Sequence, residues 1–146
     1  LLNSVKKFDD VVFKNHPAIN IKRLGNLPQN IKVSNEDVYK LFEDTKLVIT
    51  TASGTAVEAV SCGVSVIIIS SQDNLTANPL IKIGQGKIWD IAFSVNEIDS
   101  IYKKLIYYKT HNPAEILEIA NWYKNNFFVE PIEKNVAKMF NLENNI

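Results

Sequence analysis

The sequence predicts an α/β fold, a mostly parallel sheet forming one of three layers with helices on both of its faces. Three observations carry that expectation. Short runs rich in β-branched residues recur along the chain, and segments with apolar residues at helical spacing stand between them. The most apolar run, residues 64–69, is apolar at every position but Ser65, as a strand buried on both faces of a parallel sheet would be. Strands alternating with helices build βαβ units with right-handed crossovers.

Residues 11–13 (Val-Val-Phe) form the first expected strand, ended by the turn signal Asn15-His16-Pro17. Residues 31–33 form the second. Residues 36–44 read as a helix, with Val38, Leu41 and Phe42 on one face and Asn35 as N-cap. Residues 47–49 are a third strand. Residues 53–62 are a helix closed by Gly63, and 64–69 are the central strand. A long polar connection, 72–90, contains Pro79, Gly84 and Gly86; loops of such length in a compact domain are often functional. A weaker strand follows at 91–93. A helix capped by Ser94 or Asn96 then runs to about Tyr108, and two more cover 113–125 and 130–141.

The 146 residues suit one domain, 1–146, able to bury a sizeable core. Hydrophobic residues are 46% and charged residues 22%, ordinary for a globular chain. Sixteen Lys+Arg balance sixteen Asp+Glu, which speaks against nucleic acid as a partner. No apolar run approaches the roughly 20 residues of a membrane-spanning helix. A lone cysteine, Cys62, excludes an intrachain disulfide and is expected to pack as a small hydrophobe. The chain opens Leu-Leu-Asn without a signal-peptide pattern, so the expectation is a piece of a longer protein.

Ligands of open parallel sheets bind beyond the carboxyl ends of the strands. Three expected features lie there. The turn Thr50-Thr51-Ala52-Ser53-Gly54-Thr55 is built of small residues and opens a helix, whose free amides and dipole favour a phosphate; the bland reading is helix capping by Ser53 and Thr55. Glu58, three residues after Thr55, completes a capping box or accepts hydrogen bonds from vicinal hydroxyls such as those of a ribose. Lys14-Asn15-His16-Pro17 follows the first strand, and His16 with Lys14 can face a diphosphate or stand in an ordinary surface turn. Gly84-Gln85-Gly86 lacks the helix that a dinucleotide site requires. No His/Cys/Asp cluster has metal-ligand spacing, and Ser53 lacks triad partners placed by sequence. His111 reads as a turn residue, and Trp89, Trp122, Tyr107 and Tyr108 as core or interface.

Together these segments resemble a known family. Lys14-Asn15-His16-Pro17 resembles the K-x-H-P element of bacterial surface and capsular polysaccharide transferases. The stretch from Leu47 through Ser53-Gly54-Thr55-Ala56-Val57-Glu58-Ala59 to Gly63-Val64-Ser65-Val66-Ile67 resembles the donor-site core of GT-B glycosyltransferases, and Gly86 through Glu97 is similar to the family's later loop, strand and acidic helix start. The similarity spans about residues 11–105.

The resemblance implies a three-layer Rossmann-like domain, the C-terminal, donor-binding half of a GT-B fold. By it, Lys14, Ser53, Gly54 and Thr55 would hold the donor's phosphates and Glu58 the ribose. The segment 33–37, with Ser34 and Asp37, would lie near the base and contact it mainly through backbone. His16 would be the catalytic residue that stabilises the leaving phosphate. The partners implied are a nucleotide-sugar donor and a glycan acceptor held by a missing N-terminal domain, towards which the helices of 113–146 would pack with some apolar surface left exposed. No cofactor or metal is implied, in keeping with the lack of an Asp-x-Asp pattern. The location implied is cytoplasmic, at the inner face of the membrane where the rest of the protein associates peripherally.

Two departures stand out. Ser65 occupies a position where relatives usually have Pro. Of the paired glutamates of retaining enzymes only Glu58 is present, with Thr50 and Thr51 near the place of the other, which favours inversion. Non-hydrolysing nucleotide-sugar 2-epimerases share the fold but usually carry consecutive glycines and paired glutamates. A non-catalytic α/β interaction domain of receiver type would need acids after the first strand, whereas Asp9 and Asp10 precede it.

Overall fold

The structure is a computed structural model, and it describes residues 5, 8–16, 26–71 and 77–140. Along these residues run β1 (Val11–Lys14), β2 (Ile31–Ser34), α1 (Val38–Asp44), β3 (Leu47–Thr50), α2 (Thr55–Ser61), β4 (Ser65–Ile69), β5 (Trp89–Ala92), α3 (Ile98–His111), α4 (Pro113–Phe127) and α5 (Glu133–Met139). All strand pairings among the described residues are parallel. The fold is therefore mixed α/β. The strands do not form the single continuous sheet expected: β1 and β2 pair with each other, and β3–β4–β5 form a separate sheet with β4 in the middle. The burial of the strands differs across the division. Residues 65–68 of β4 are all buried, as a central strand requires, whereas Val12 on β1 and Val33 on β2 remain 46% and 44% exposed.

Alternate residues of β4 serve two clusters, because successive side chains leave opposite faces of a strand. Val66 and Ile68 pack with Ala56, Val57, Ala59 and Val60 of α2 and with Ile116, Ile119 and Tyr123 of α4. Ile67 packs instead with Ala92, Ile98 and Leu105. Each fully buried Ile or Leu contributes about 1.5–3 kcal/mol, so these clusters fix where α2 and α3 sit against the sheet.

The helix ends show where local chemistry overrode the expected boundaries. Asp37, not Asn35, caps α1: its carboxylate accepts from the Tyr39 amide at 2.9 Å, while the Glu36 amide donates to Ser34 Oγ at 3.1 Å and so belongs to the preceding turn. Gly63 closes α2 as expected. With φ at +73° it forms a Schellman pair, the Val64 amide donating to the Ala59 carbonyl and the Gly63 amide to the Val60 carbonyl, both at 2.9 Å. Lys109 then donates from Nζ to the Gly63 carbonyl at 2.7 Å, tying α3 to this turn. Cys62, expected to pack, is instead exposed at the C-cap of α2.

Strand β5 begins earlier than expected, at Trp89, whose indole is buried and donates to the Ile83 carbonyl at 2.8 Å. It ends before Phe93, whose amide turns to Glu97 Oε2 at 2.8 Å. That contact occupies the Glu97 carboxylate, so Glu97 stands at the N-cap of α3 in place of Ser94 or Asn96 without a side-chain cap. α4 starts at Pro113, where a missing N–H costs nothing. α5 is shorter than expected, because Glu130 precedes Pro131 and Ile132 is extended (φ −81°, ψ 151°); Asn141 lies outside the described residues. Phe127, Phe128, Val129, Ile132, Met139 and Phe140 are exposed along the last two helices. No helix among the described residues is long and apolar enough to cross a membrane.

Candidate functional site

Parallel pairing puts the carboxyl ends of β3, β4 and β5 at one edge of their sheet, where Thr50 is beside Ile68 and Ile69 beside Ala92. The turn leaving that edge from β3 leads straight into α2. Its small residues fold back on one another: the Ser53 amide donates to the Thr51 carbonyl at 2.8 Å, and the Thr55 amide to Ser53 Oγ at 3.3 Å. Ser53 thus shapes the turn from one residue ahead of the N-cap, and the helix start itself carries no side-chain cap, in contrast to the expected capping by Ser53 and Thr55. Gly54 is exposed at the N-cap. Among the described residues the Gly54 amide and the Thr55 hydroxyl have no hydrogen-bond partner, so each is available to an incoming group. With no Cβ, and nothing within 4 Å of the place one would occupy, Gly54 leaves the backbone open to approach.

Glu58 lies in the first turn of α2, half-buried. It does not complete a capping box. Its Oε1 instead accepts from the hydroxyl of Tyr39 at 3.2 Å. Tyr39 belongs to α1, which leaves the carboxyl end of β2. This bond joins the segment after β2 to the segment after β3, although the two strands belong to different sheets. Tyr39 is held from two other directions, by the Asp37 carboxylate on its amide and by Phe42, whose ring meets it edge-on at 5.9 Å. Partial burial, and then the Glu58 carboxylate, push the Tyr39 phenol above its usual range, so at neutral pH it is a proton-bearing donor. Glu58 Oε2 has no partner among the described residues.

Lys14 and Ser34 are register partners at the carboxyl end of the β1–β2 sheet. His16 follows two residues later and is exposed, as is Lys14; Pro17 lies outside the described residues. The Ser34 and Asp37 side chains both serve the β2–α1 turn, on the Glu36 and Tyr39 amides respectively. Two groups of sequence-derived site residues thus emerge. Ser34, Asp37, Ser53, Gly54, Thr55 and Glu58 are connected across the two sheets through Tyr39 and the two turns, while Lys14 and His16 lie at the β1 side of the same β1–β2 edge as Ser34, outside that connection.

Tyr39 is the residue that sequence reasoning missed. A faint signal existed, a tyrosine in the first turn of a helix, between the capping Asp37 and the buried Phe42, but only the fold places it against Glu58. Of the aromatic residues set aside earlier, Trp89 is core, Tyr107 stacks on His111 at 3.9 Å, and Tyr108 donates to Glu115. Among the described residues no group of three or more His, Cys, Asp or Glu side chains is placed to hold a metal ion. Comparison of the chain with protein-family models, with curated proteins and with solved structures finds no match.

Proposed function

We propose that the chain is the donor-binding domain of a GT-B glycosyltransferase, a three-layer Rossmann-like half whose site lies beyond the carboxyl ends of β2 and β3. The observation that carries this reading is the Tyr39–Glu58 hydrogen bond. It sets the 33–37 segment, assigned by resemblance to the base, beside the turn and carboxylate assigned to phosphate and ribose. In this reading Gly54 and Thr55 receive a phosphate, Ser53 shapes their turn and Glu58 accepts from ribose hydroxyls. Lys14 and His16 approach the leaving phosphate from the β1 edge.

The chemistry proposed is metal-independent, inverting sugar transfer. The sugar C1–oxygen bond breaks, with its electron pair passing to the phosphate, as an acceptor hydroxyl attacks C1 from the other side. The acceptor's proton passes to a base on a second domain, which also holds the acceptor, a surface glycan. Negative charge grows on the phosphate during this step, so donors already in place there favour the transition state over the ground state.

Backbone-amide NMR during titration with CMP, CDP, UDP and GDP tests the reading. One base is expected to shift Gly54, Thr55 and Glu58 selectively, and Ser53→Ala or His16→Ala to abolish those shifts. A Kd of about 1 mM or weaker is expected for a half-site, so the titration runs to about 10 mM. Silence at that concentration, or shifts scattered away from these residues, would overturn the reading. The chain by itself is expected to turn over no sugar nucleotide, and measured turnover would overturn the assignment of the base to a second domain.

A further inference from the structure

The carboxylate in the candidate site is only half used by the protein. Glu58 Oε1 receives the Tyr39 proton, and Oε2 has no partner among the described residues. The Tyr39 oxygen, having given its one hydrogen to Glu58, keeps lone pairs that can accept. Tyr39 as a whole is 47% exposed, so the protein does not enclose it. Two acceptors, one a carboxylate oxygen and one a phenol oxygen, therefore stand on either side of a single hydrogen bond, at the meeting of the β2–α1 and β3–α2 segments.

Such a pair suits a particular chemical group. Adjacent hydroxyls on a five-membered ring present two donors a short distance apart. A lone carboxylate can take both with its two oxygens, but here one of those oxygens is engaged. We propose that Tyr39 is a specificity-determining residue of this site, sharing recognition of a vicinal diol with Glu58: one ribose hydroxyl donates to Glu58 Oε2 and the other to the Tyr39 oxygen. The proposal rests on the donor-site reading above and adds to it the residue that distinguishes ribose from its deoxy forms.

The geometry supports a fixed role for the phenol. Its amide is held by Asp37, its ring by Phe42 and its hydroxyl by Glu58, so little rotamer freedom remains to be lost on binding. An analogue lacking one hydroxyl leaves one of the two acceptors without a donor, and a hydrogen bond to an ionised or ion-coupled acceptor is worth enough to register as a change in affinity.

The test uses the whole chain and whichever of CMP, CDP, UDP and GDP shifts the site amides, together with its 2′-deoxy and 3′-deoxy analogues. Wild type is expected to bind each analogue roughly five- to tenfold more weakly than the parent. In Tyr39→Phe, which keeps the ring on Phe42, discrimination against one analogue falls to about unity while that against the other persists; a merely structural clamp would weaken all three ligands alike. Thermal melting confirms that the variant is folded. Wild type that binds parent and both analogues equally overturns the proposal without needing any variant, as does Tyr39→Phe that keeps both discriminations. In either case selective shifts by the parent leave the donor-site reading standing. If no nucleotide shifts the site in wild type, the donor-site reading falls and takes this proposal with it.

Discussion

At Gly84 the backbone adopts a φ of +77°, and a Cβ there would lie 2.8 Å from methyl carbons of both Ile119 and Ile88. The conformation and the contact make the same demand, since an L side chain is strained at this φ and two buried isoleucines would have to move. The Gly84 carbonyl also accepts from the Lys87 and Ile88 amides, at 3.0 and 2.9 Å, so the turn cannot relax without losing bonds. Gly84→Ala is therefore expected to destabilise the fold by about 2–3 kcal/mol, the strain and overpacking together. Urea unfolding of the two proteins checks this; a change under about 0.5 kcal/mol, the level of an indifferent surface site, would show that the turn does not hold the core. The turn's structural role also answers the question left by Gly84-Gln85-Gly86 in the sequence. Its glycines seat the chain against α4 and, at Gly86, beside the Lys104 side chain. Ser65 presents the opposite case: it is wholly buried, and its hydroxyl has no hydrogen-bond partner among the described residues. Nothing about a serine in an apolar run announces this, because satisfaction of a hydroxyl depends on neighbours distant in sequence.

Among the elements, α3, α4 and the loop before β5 meet in a polar clip. Lys87 Nζ contacts Glu115 Oε1 at 2.5 Å, and the Tyr108 hydroxyl donates to Oε2 of the same carboxylate. The hydrogen bonds from Lys87, and then from Tyr108, hold the Glu115 carboxyl below its ordinary value of 4.5. A carboxyl whose pKa is depressed by folding adds stability that is present above its unfolded pKa and is lost as pH falls through the folded one. The Glu115 bonds to Lys87 and Tyr108 likewise raise both of those groups, whose contribution is present at neutral pH and lost at strongly alkaline pH. Glu115→Gln is thus expected to be less stable than wild type at neutral pH, with the gap closing as pH drops below about 4.5. Urea midpoints measured across that range report it, and a gap independent of pH would mean that the charge of Glu115 is not what matters. This clip was not visible in the sequence. Glu115 reads there as a favourable acid in the first turn of a helix that begins at Pro113, and its partners lie 7 and 28 residues away.

For the whole molecule, the division into two sheets sets a gradient of stability. β4 lies between β3 and β5 with residues 65–68 buried, whereas among the described residues β1 and β2 pair only with each other, and of their eight residues only Ile31 is buried. Amide exchange should follow that gradient, with Val66, Ile67 and Ile68 opening only on global unfolding and the β1–β2 amides opening through smaller local events. Equal protection in both sheets would show that they unfold as one unit. The candidate site straddles this boundary, with Lys14, His16, Ser34 and Asp37 on or after the β1–β2 strands and Ser53, Gly54, Thr55 and Glu58 after β3. Local information in the sequence sufficed for the element order, the mixed α/β class, the closing of α2 at Gly63 and the central place of β4, because apolar period, glycine and helix-end chemistry act over a few residues. Helix starts at Asp37 and Glu97 were misplaced by one to three positions, since each depends on which nearby amide a side chain finds first. The split of the strands into two sheets, the exposure of Cys62, the clip at Glu115 and the pairing of Tyr39 with Glu58 were decided only by the tertiary structure. Each rests on contacts between elements, whose partners are chosen by the packing of the whole chain and leave no short-range mark on the residues that make them.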